Sequence, residues 1–522
     1  MLWLAMRRFL VLLWLLSLAL AAPRLVVEPE DGVKPLLDLI ASAREEILVK
    51  MYLWTPSRMD VVEALGEAAR RGVRVRVLLE REPSGGRVDL EVFQALKARG
   101  VEVRLTTPFR FVFVHEKSLV VDRKRAWVGT MNLTGSSFAA NREYALILDD
   151  PAQVAEIAKV FEADWEGERL DLSQALLVWA PSRVLGGVKE GNARETLLAL
   201  IRGAQRELFL EHQAMADPEV EAALKEALGR GVRVRLLGSP KEPGDTYFLA
   251  GALRLKEAGA LVRFLPDPYV HAKVLVRDGE EALLGSLNLS ANSIQANREL
   301  AVRFTAREAP EAFRRLLFVM EGDWEKALPE NPFALPPVEG VIPWQEAPRY
   351  FGRVATVEGV IQAVEDRGTV AFLKFGPGES DLRLVVFPRS YGLFAQPFPQ
   401  SYLGKKVRAR GRIVLYAGYY EIVLEGRENR QVRGGGPSGP GLRGEPHRGG
   451  RLRGEAAGRG GLPGLLRGKG RPPPEAQALP QGGGEAPRPR RGGGAVGRPV
   501  GGGGELLRRG GPRGAPPFGP RL

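Results

Sequence analysis

His115 to Asp122 reads HEKSLVVD, and 156 residues later His271 to Asp278 reads HAKVLVRD. Measured from each histidine, a lysine stands at +2 (Lys117, Lys273) and an aspartate at +7 (Asp122, Asp278). A glycine follows at +14 (Gly129, Gly285), an asparagine at +17 (Asn132, Asn288) and a glutamate at +28 (Glu143, Glu299). The polar letters hold their spacing while the apolar letters between them drift. A duplication kept for stability alone would show the reverse, so the constellation reads as a site written twice.

The repetition extends outward. RRGVRVRVLL at 70–79 is answered by GRGVRVRLL at 229–237, and LKARGVEVRL at 96–105 by LKEAGALVRF at 255–264. Each copy closes on DWE, at 164–166 and 323–325. The segments 61–72 and 220–231 place apolar residues three and four apart, as amphipathic helices do. The valine-rich runs after them, bounded by glycine, read as strands. Strand–helix–strand alternation predicts parallel or mixed sheets flanked by helices. The expectation is an α/β fold of two pseudo-twofold-related repeats, 22–182 and 183–330.

Strand parity sorts the polar letters. His115 and Lys117, two apart, share a face, whereas Asp122 has the opposite parity. Asp122 and Asp278 therefore read as structural, holding a turn. Thr130 with Asn132, and Ser286 with Asn288, offer hydroxyl and amide groups to one pocket. Glu143 and Glu299 come from a later strand and are placed to orient an imidazole, with Glu143 the expected partner of His115. His212 lies near a strand end and reads as a packed histidine rather than a substrate contact.

The double H-x-K-x4-D, followed by G-[ST]-x-N, resembles the signature of the phospholipase D superfamily over roughly residues 25–330. That resemblance implies a phosphodiesterase with both motifs at one site. One histidine attacks phosphorus to form a phosphohistidine, and the other protonates the leaving oxygen and then activates the acceptor. By analogy His115 is the nucleophile and His271 the acid. The chemistry suits the residues: imidazole titrates near neutrality, and two displacements replace one difficult step. Lys117, Lys273, Asn132 and Asn288 supply fixed donors to the charge that develops, with Thr130 and Ser286 beside them. Two histidines without cysteine or a carboxylate cluster make a poor ligand set for a catalytic metal. No metal and no cofactor is expected, and one chain suffices for one site.

The remaining segments bear on substrate and location. The chain of 522 residues carries a net charge of +13. Residues 433–522 hold 17 Lys and Arg against 5 Asp and Glu, so the rest is near neutral. Overall basicity therefore says little about the folded part. That glycine-, proline- and arginine-rich tail cannot bury a core and reads as disordered. Its skewed composition also matches an out-of-frame product of a GC-rich gene, and no function is built on it. Residues 1–21 read as a signal peptide cleaved after Ala21, which implies a secreted or periplasmic protein, with a membrane anchor the lesser alternative. Residues 331–344 read as a proline-rich linker. Residues 345–432 read as a small β-barrel resembling an OB-fold, with Phe372, Phe375, Tyr416, Tyr419, Tyr420, Lys405, Lys406, Arg408 and Arg410 as candidate nucleic-acid contacts. On that basis the expected function is an exported, metal-independent nuclease. The alternative is a phospholipase D that converts phosphatidylcholine-like lipids to phosphatidate or transfers the phosphatidyl group.

Overall fold

The computed structural model describes residues 23–424, apart from 84–85, 108–109, 379–380 and 395. The expected signal segment and the tail lie outside the described residues. Among those described, no helix is long and apolar enough to cross a membrane.

Each repeat is a seven-strand mixed sheet with the same order. In the first, Arg24–Glu28, Asn141–Leu148, Arg125–Gly129, Lys117–Val121, Glu46–Met51, Arg74–Leu79 and Glu102–Leu105 lie side by side. In the second the corresponding run is Val178–Ala180, Glu299–Thr305, Glu281–Gly285, Lys273–Arg277, Glu207–His212, Arg233–Gly238 and Leu261–Phe264, so the second sheet takes in residues before the expected boundary at 183. The three strands joined by helices pair in parallel, and the others pair antiparallel. The amphipathic segments form helices at Met59–Arg70 and Pro218–Gly229, and each buries its apolar stripe. Aspartates cap two helices that begin with proline: Asp150 accepts from the Gln153 amide and Asp217 from that of Val220.

One core lies between the repeats. Tyr144, Leu146, Phe161 and Trp165 of the first pack with Trp179, Phe209, Val274 and Phe313 of the second. Each repeat has a second core under its own helices.

The repeats also exchange backbone. Tyr269–Val270 of the second repeat pairs in parallel with Asn141–Arg142 of the first. Val114 of the first bridges Arg298 of the second in the same sense. Arg142 donates from Nε to Asp323 at 2.5 Å, and Arg298 from Nη2 to Asp164 at 3.2 Å. The two DWE aspartates thus each neutralise an arginine of the opposite repeat. All four of these side chains are buried, where an unpaired charge would be costly.

In the C-terminal unit, Val354–Val360 pairs with Lys406–Arg412, and Ala363–Asp366 continues onto Ala371–Lys374. That strand pairs with Arg383–Val386, which runs parallel to Tyr419–Val423, which pairs back with Val414–Tyr416. Among the described residues these pairings make two sheets, of three and five strands, rather than the one closed barrel expected. Residues 331–344, expected to be a simple linker, are packed: Val341–Pro343 pairs with the strand beginning at Val354, and Val338 and Ile342 join the unit's core. Apolar side chains among the prolines find that core, so the connection is anchored.

Candidate active site

The site forms where the exchanged segments place both histidines. The His115 amide donates to the Arg298 carbonyl at 2.9 Å, and the His271 amide to the Arg142 carbonyl at 3.2 Å. Because Arg298 precedes Glu299 and Arg142 precedes Glu143, each imidazole meets the glutamate of the other repeat. His115 Nδ1 lies 2.9 Å from Glu299 Oε2. His271 Nδ1 lies 2.8 Å from Glu143 Oε1 and 2.9 Å from its Oε2. The expected pairing of His115 with Glu143 is therefore wrong, and the partners are crossed. The +28 spacing is the same in both copies, so it carries no information on which copy supplies the partner. With Nδ1 facing a carboxylate, Nε2 of each ring is the atom turned to the chemistry, that of His271 with Lys273 Nζ 3.4 Å away.

Both glutamates are themselves held. Thr130 Oγ1 donates to Glu143 Oε2 at 2.7 Å and Asn141 Nδ2 to Oε1 at 3.3 Å. Ser293 Oγ donates to Glu299 Oε1 at 2.5 Å and Asn297 Nδ2 at 3.1 Å. Thr130 and Ser286 are fully buried. Thr130 serves the Glu143 carboxylate, and the Ser286 hydroxyl serves Glu299 and bonds the backbone of Leu300. Neither is placed to touch phosphate as the sequence reading expected, because strand alternation turns both hydroxyls toward the strand carrying the glutamate. Asn141, Asn297, Arg142, Arg298, Asp164 and Asp323 were missed as functional positions. Their signal was present as the repeated NRE and DWE.

The lysines flank the rings. Lys117 Nζ donates to the His115 carbonyl and lies 4.9 Å from the centre of the Tyr52 ring. Tyr52 in turn packs edge-on against His115 at 4.5 Å. Lys273 Nζ donates to the His271 carbonyl and lies 3.1 Å from His271 Nδ1. Asn132 and Asn288 are nearly buried, and the Oδ1 atoms of both have no partner within the protein. An unmet Oδ1 can only accept, so the Nδ2 amide of each asparagine is the group able to donate to a phosphoryl oxygen.

Electrostatics follow burial. Burial pushes His115 down to about 4, against the opposing pull of Glu299. His271 is also lowered by burial, with Glu143 opposing. Burial lowers Lys117 well below the usual lysine range and Lys273 to about 8. Burial raises Glu143 and Glu299, but the facing histidine and lysine charges outweigh it and hold both below the ordinary carboxylate value. Burial thus disfavours the protonated form of both rings, while each glutamate opposes it. A bound phosphodiester anion favours the protonated ring.

Asp122 and Asp278 stand apart from this chemistry. Asp122 accepts from the amides of Arg44, Glu45 and Glu46, and Asp278 from those of Gln205, Arg206 and Glu207. Both sit at φ near +54°, tying a tight turn to the neighbouring strand. Gly285 is required by close approach: a Cβ there would lie 2.2 Å from the Leu300 carbonyl on the strand that carries Glu299. Gly129 is similarly enclosed by Met131 and Trp127. His212 is buried beside Lys273, accepts from the Ala214 amide at 3.3 Å, and is pushed by burial down to about 3. Among the described residues, no group of three or more His, Cys, Asp or Glu could hold a metal ion.

A family described as cardiolipin synthase, PLD-like domain, matches residues 36–165 and 197–324, one copy per repeat. A cardiolipin synthase of Geobacillus kaustophilus is 30% identical over 45% of this chain and 53% of its own length. One from Geobacillus thermodenitrificans is 28% identical over 52% of this chain and 60% of its own. The chain thus spans about half of these curated relatives. The crystal structure of Nuc, a phospholipase D family member from Salmonella typhimurium, is 26% identical over 28% of this chain and 97% of that one, with a TM-score of 0.26.

Proposed function

The chain belongs to the phospholipase D superfamily, and from that premise we propose that it transfers phosphatidyl groups between alcohols by way of a phosphohistidine. The observation that carries the chemistry is the crossed pair of imidazole–glutamate couples. His115 Nε2 attacks phosphorus while His271 gives its Nε2 proton to the departing headgroup oxygen. The acceptor hydroxyl then loses its proton to His271 and attacks phosphorus, and the P–N bond to His115 breaks. The low proton affinity of His115 supports its role as nucleophile, since only the neutral ring attacks. Lys117, Lys273, Asn132 and Asn288 supply donors to the phosphoryl oxygens. Each glutamate fixes its ring's tautomer and stabilises the imidazolium. No step calls for a metal.

The phospholipid substrate is supported by the names of the matched family and relatives, all cardiolipin synthases. A hydroxyl on a second phospholipid is the acceptor this favours, with water second. Nucleic acid, the first expectation from sequence, is less well supported. The C-terminal unit's short strands lie in two sheets, and Lys406 and Arg408 of its basic strand both pair with Glu358. Phe375 is fully buried in the unit's core.

The test gives the full chain, in EDTA, phosphatidylglycerol vesicles, phosphatidylcholine vesicles, plasmid DNA and single-stranded DNA in parallel. Release of headgroup alcohol that disappears in His115→Ala is the expected result. DNA cleavage without phospholipid turnover overturns the proposal in favour of the nuclease.

A further inference from the structure

The C-terminal unit meets the catalytic repeats across a cleft of about 650 Å³, within the ~300–1,000 Å³ typical of small-molecule sites. Phe351, Phe372, Val385, Phe387, Leu415 and Val423 form the C-terminal unit's side. Asn141 and Tyr269 line the opposite side. These two residues join the cleft to the chemistry: Asn141 holds Glu143, the carboxylate of His271, and Tyr269 lies two residues before His271.

Charge decides what such a cleft accepts. Among the described lining residues Arg383 is the one cation and Glu421 the one anion. They bond each other, Nε to Oε1 at 2.8 Å, and both are buried. The guanidinium also stacks on Phe372 at 4.2 Å and Tyr419 at 3.8 Å. Nucleic acid needs spare cations along its backbone, and none remains here. A hydrocarbon chain needs only apolar walls and gains from leaving water.

The C-terminal unit is tied down around this cleft. Arg412 Nη2 pairs with Glu242 at 2.6 Å, and Asn331 Nδ2 donates to the Lys241 carbonyl at 2.7 Å. The backbone of Ala417 and Gly418 hydrogen-bonds Asp267, and Tyr416 bonds Ser136. The loops it grips lead into His271 and out of the Asn132 turn.

We propose that this cleft holds an acyl chain of the phospholipid whose phosphodiester reacts at His115 and His271. The inference rests on the phosphatidyl-transfer reading and makes the C-terminal unit a holder of lipid substrate. The test compares kcat/KM of the full chain for monomeric phospholipids of one headgroup with short and medium acyl chains. Each methylene buried in the cleft should raise kcat/KM by roughly fourfold. Val385→Asp and Phe387→Asp should each reduce the medium-to-short ratio about tenfold or more. A phospholipid with a photoreactive group at the acyl terminus should label 370–387 or 414–423 in the unaltered protein. Phospholipid turnover with no chain-length dependence, or labelling confined to other segments, overturns the cleft and leaves phosphatidyl transfer standing. Absence of phospholipid turnover overturns the parent reading and this inference with it.

Discussion

Replacing Glu299 by Gln keeps the shape of the side chain and removes the charge that faces His115 Nδ1. The hydrogen bond is 2.9 Å long, and Glu299 and His115 expose 1% and 11% of their side chains. Water therefore cannot take the place of the carboxylate. A buried hydrogen bond to a charged group contributes about 1.5–3 kcal/mol, which is roughly 10- to 160-fold in rate when it is lost from the transition state. Loss of the fixed tautomer adds to this, so kcat should fall by about two orders of magnitude or more. Glu143→Gln should cost a similar factor, but the two variants differ in which step suffers. Because the partners are crossed, Glu299 serves the nucleophile and Glu143 serves the acid. The assay compares a natural alcohol leaving group with an activated aryl leaving group that needs no proton. Glu143→Gln should recover most of its loss on the aryl diester, and Glu299→Gln should not. Recovery by Glu299→Gln alone would refute the assignment of His115 as nucleophile. Equal recovery by both variants would refute the division of labour.

The pH profile of kcat/KM on a soluble diester should rise through about pH 4, as His115 loses its proton. It should fall first as His271, the acid, loses the proton it must donate, at a pH below the ordinary imidazole value because burial lowers it, and again through about pH 8, where Lys273 loses its charge. Lys273→Arg should move the alkaline limb upward, and an unmoved limb would take Lys273 out of the titration. Asp323→Ala leaves the Arg142 guanidinium buried and without its bidentate partner. Because Glu30 still holds Arg142 at 2.5 Å, denaturant unfolding should show a loss of about 1–3 kcal/mol, and no measurable loss would mean that the repeats do not depend on this pair. Asp122→Ala strips the acceptor from three backbone amides and should lower stability by about 1–3 kcal/mol. Its kcat should stay within a few-fold of the original value, and a hundredfold loss would return the aspartate to the catalytic group.

Much of this protein is legible in one dimension because duplication prints it twice. The repeated histidine, lysine, asparagine and glutamate give the chemistry, and the repeated VRVR and helical stretches give the α/β repeat. Parity along the strand is a local property, so the separation of Asp122 and Asp278 from the rings needed no tertiary information. The ring contacts did need it. His115 and Glu299 lie 184 residues apart, and His271 and Glu143 lie 128 apart. Two copies with identical spacing are compatible with partners from the same repeat or from opposite repeats. Only the Val114–Arg298 bridge and the pairing of Tyr269–Val270 with Asn141–Arg142 set the register that crosses them. The same holds for the C-terminal unit. Its aromatic and basic letters are visible in the sequence, but only folding decides that Glu358 takes up Lys406 and Arg408 and that Glu421 neutralises Arg383. Residue type follows from sequence. Which charges remain unpaired, and on which face, is fixed by contacts between strands far apart in the chain.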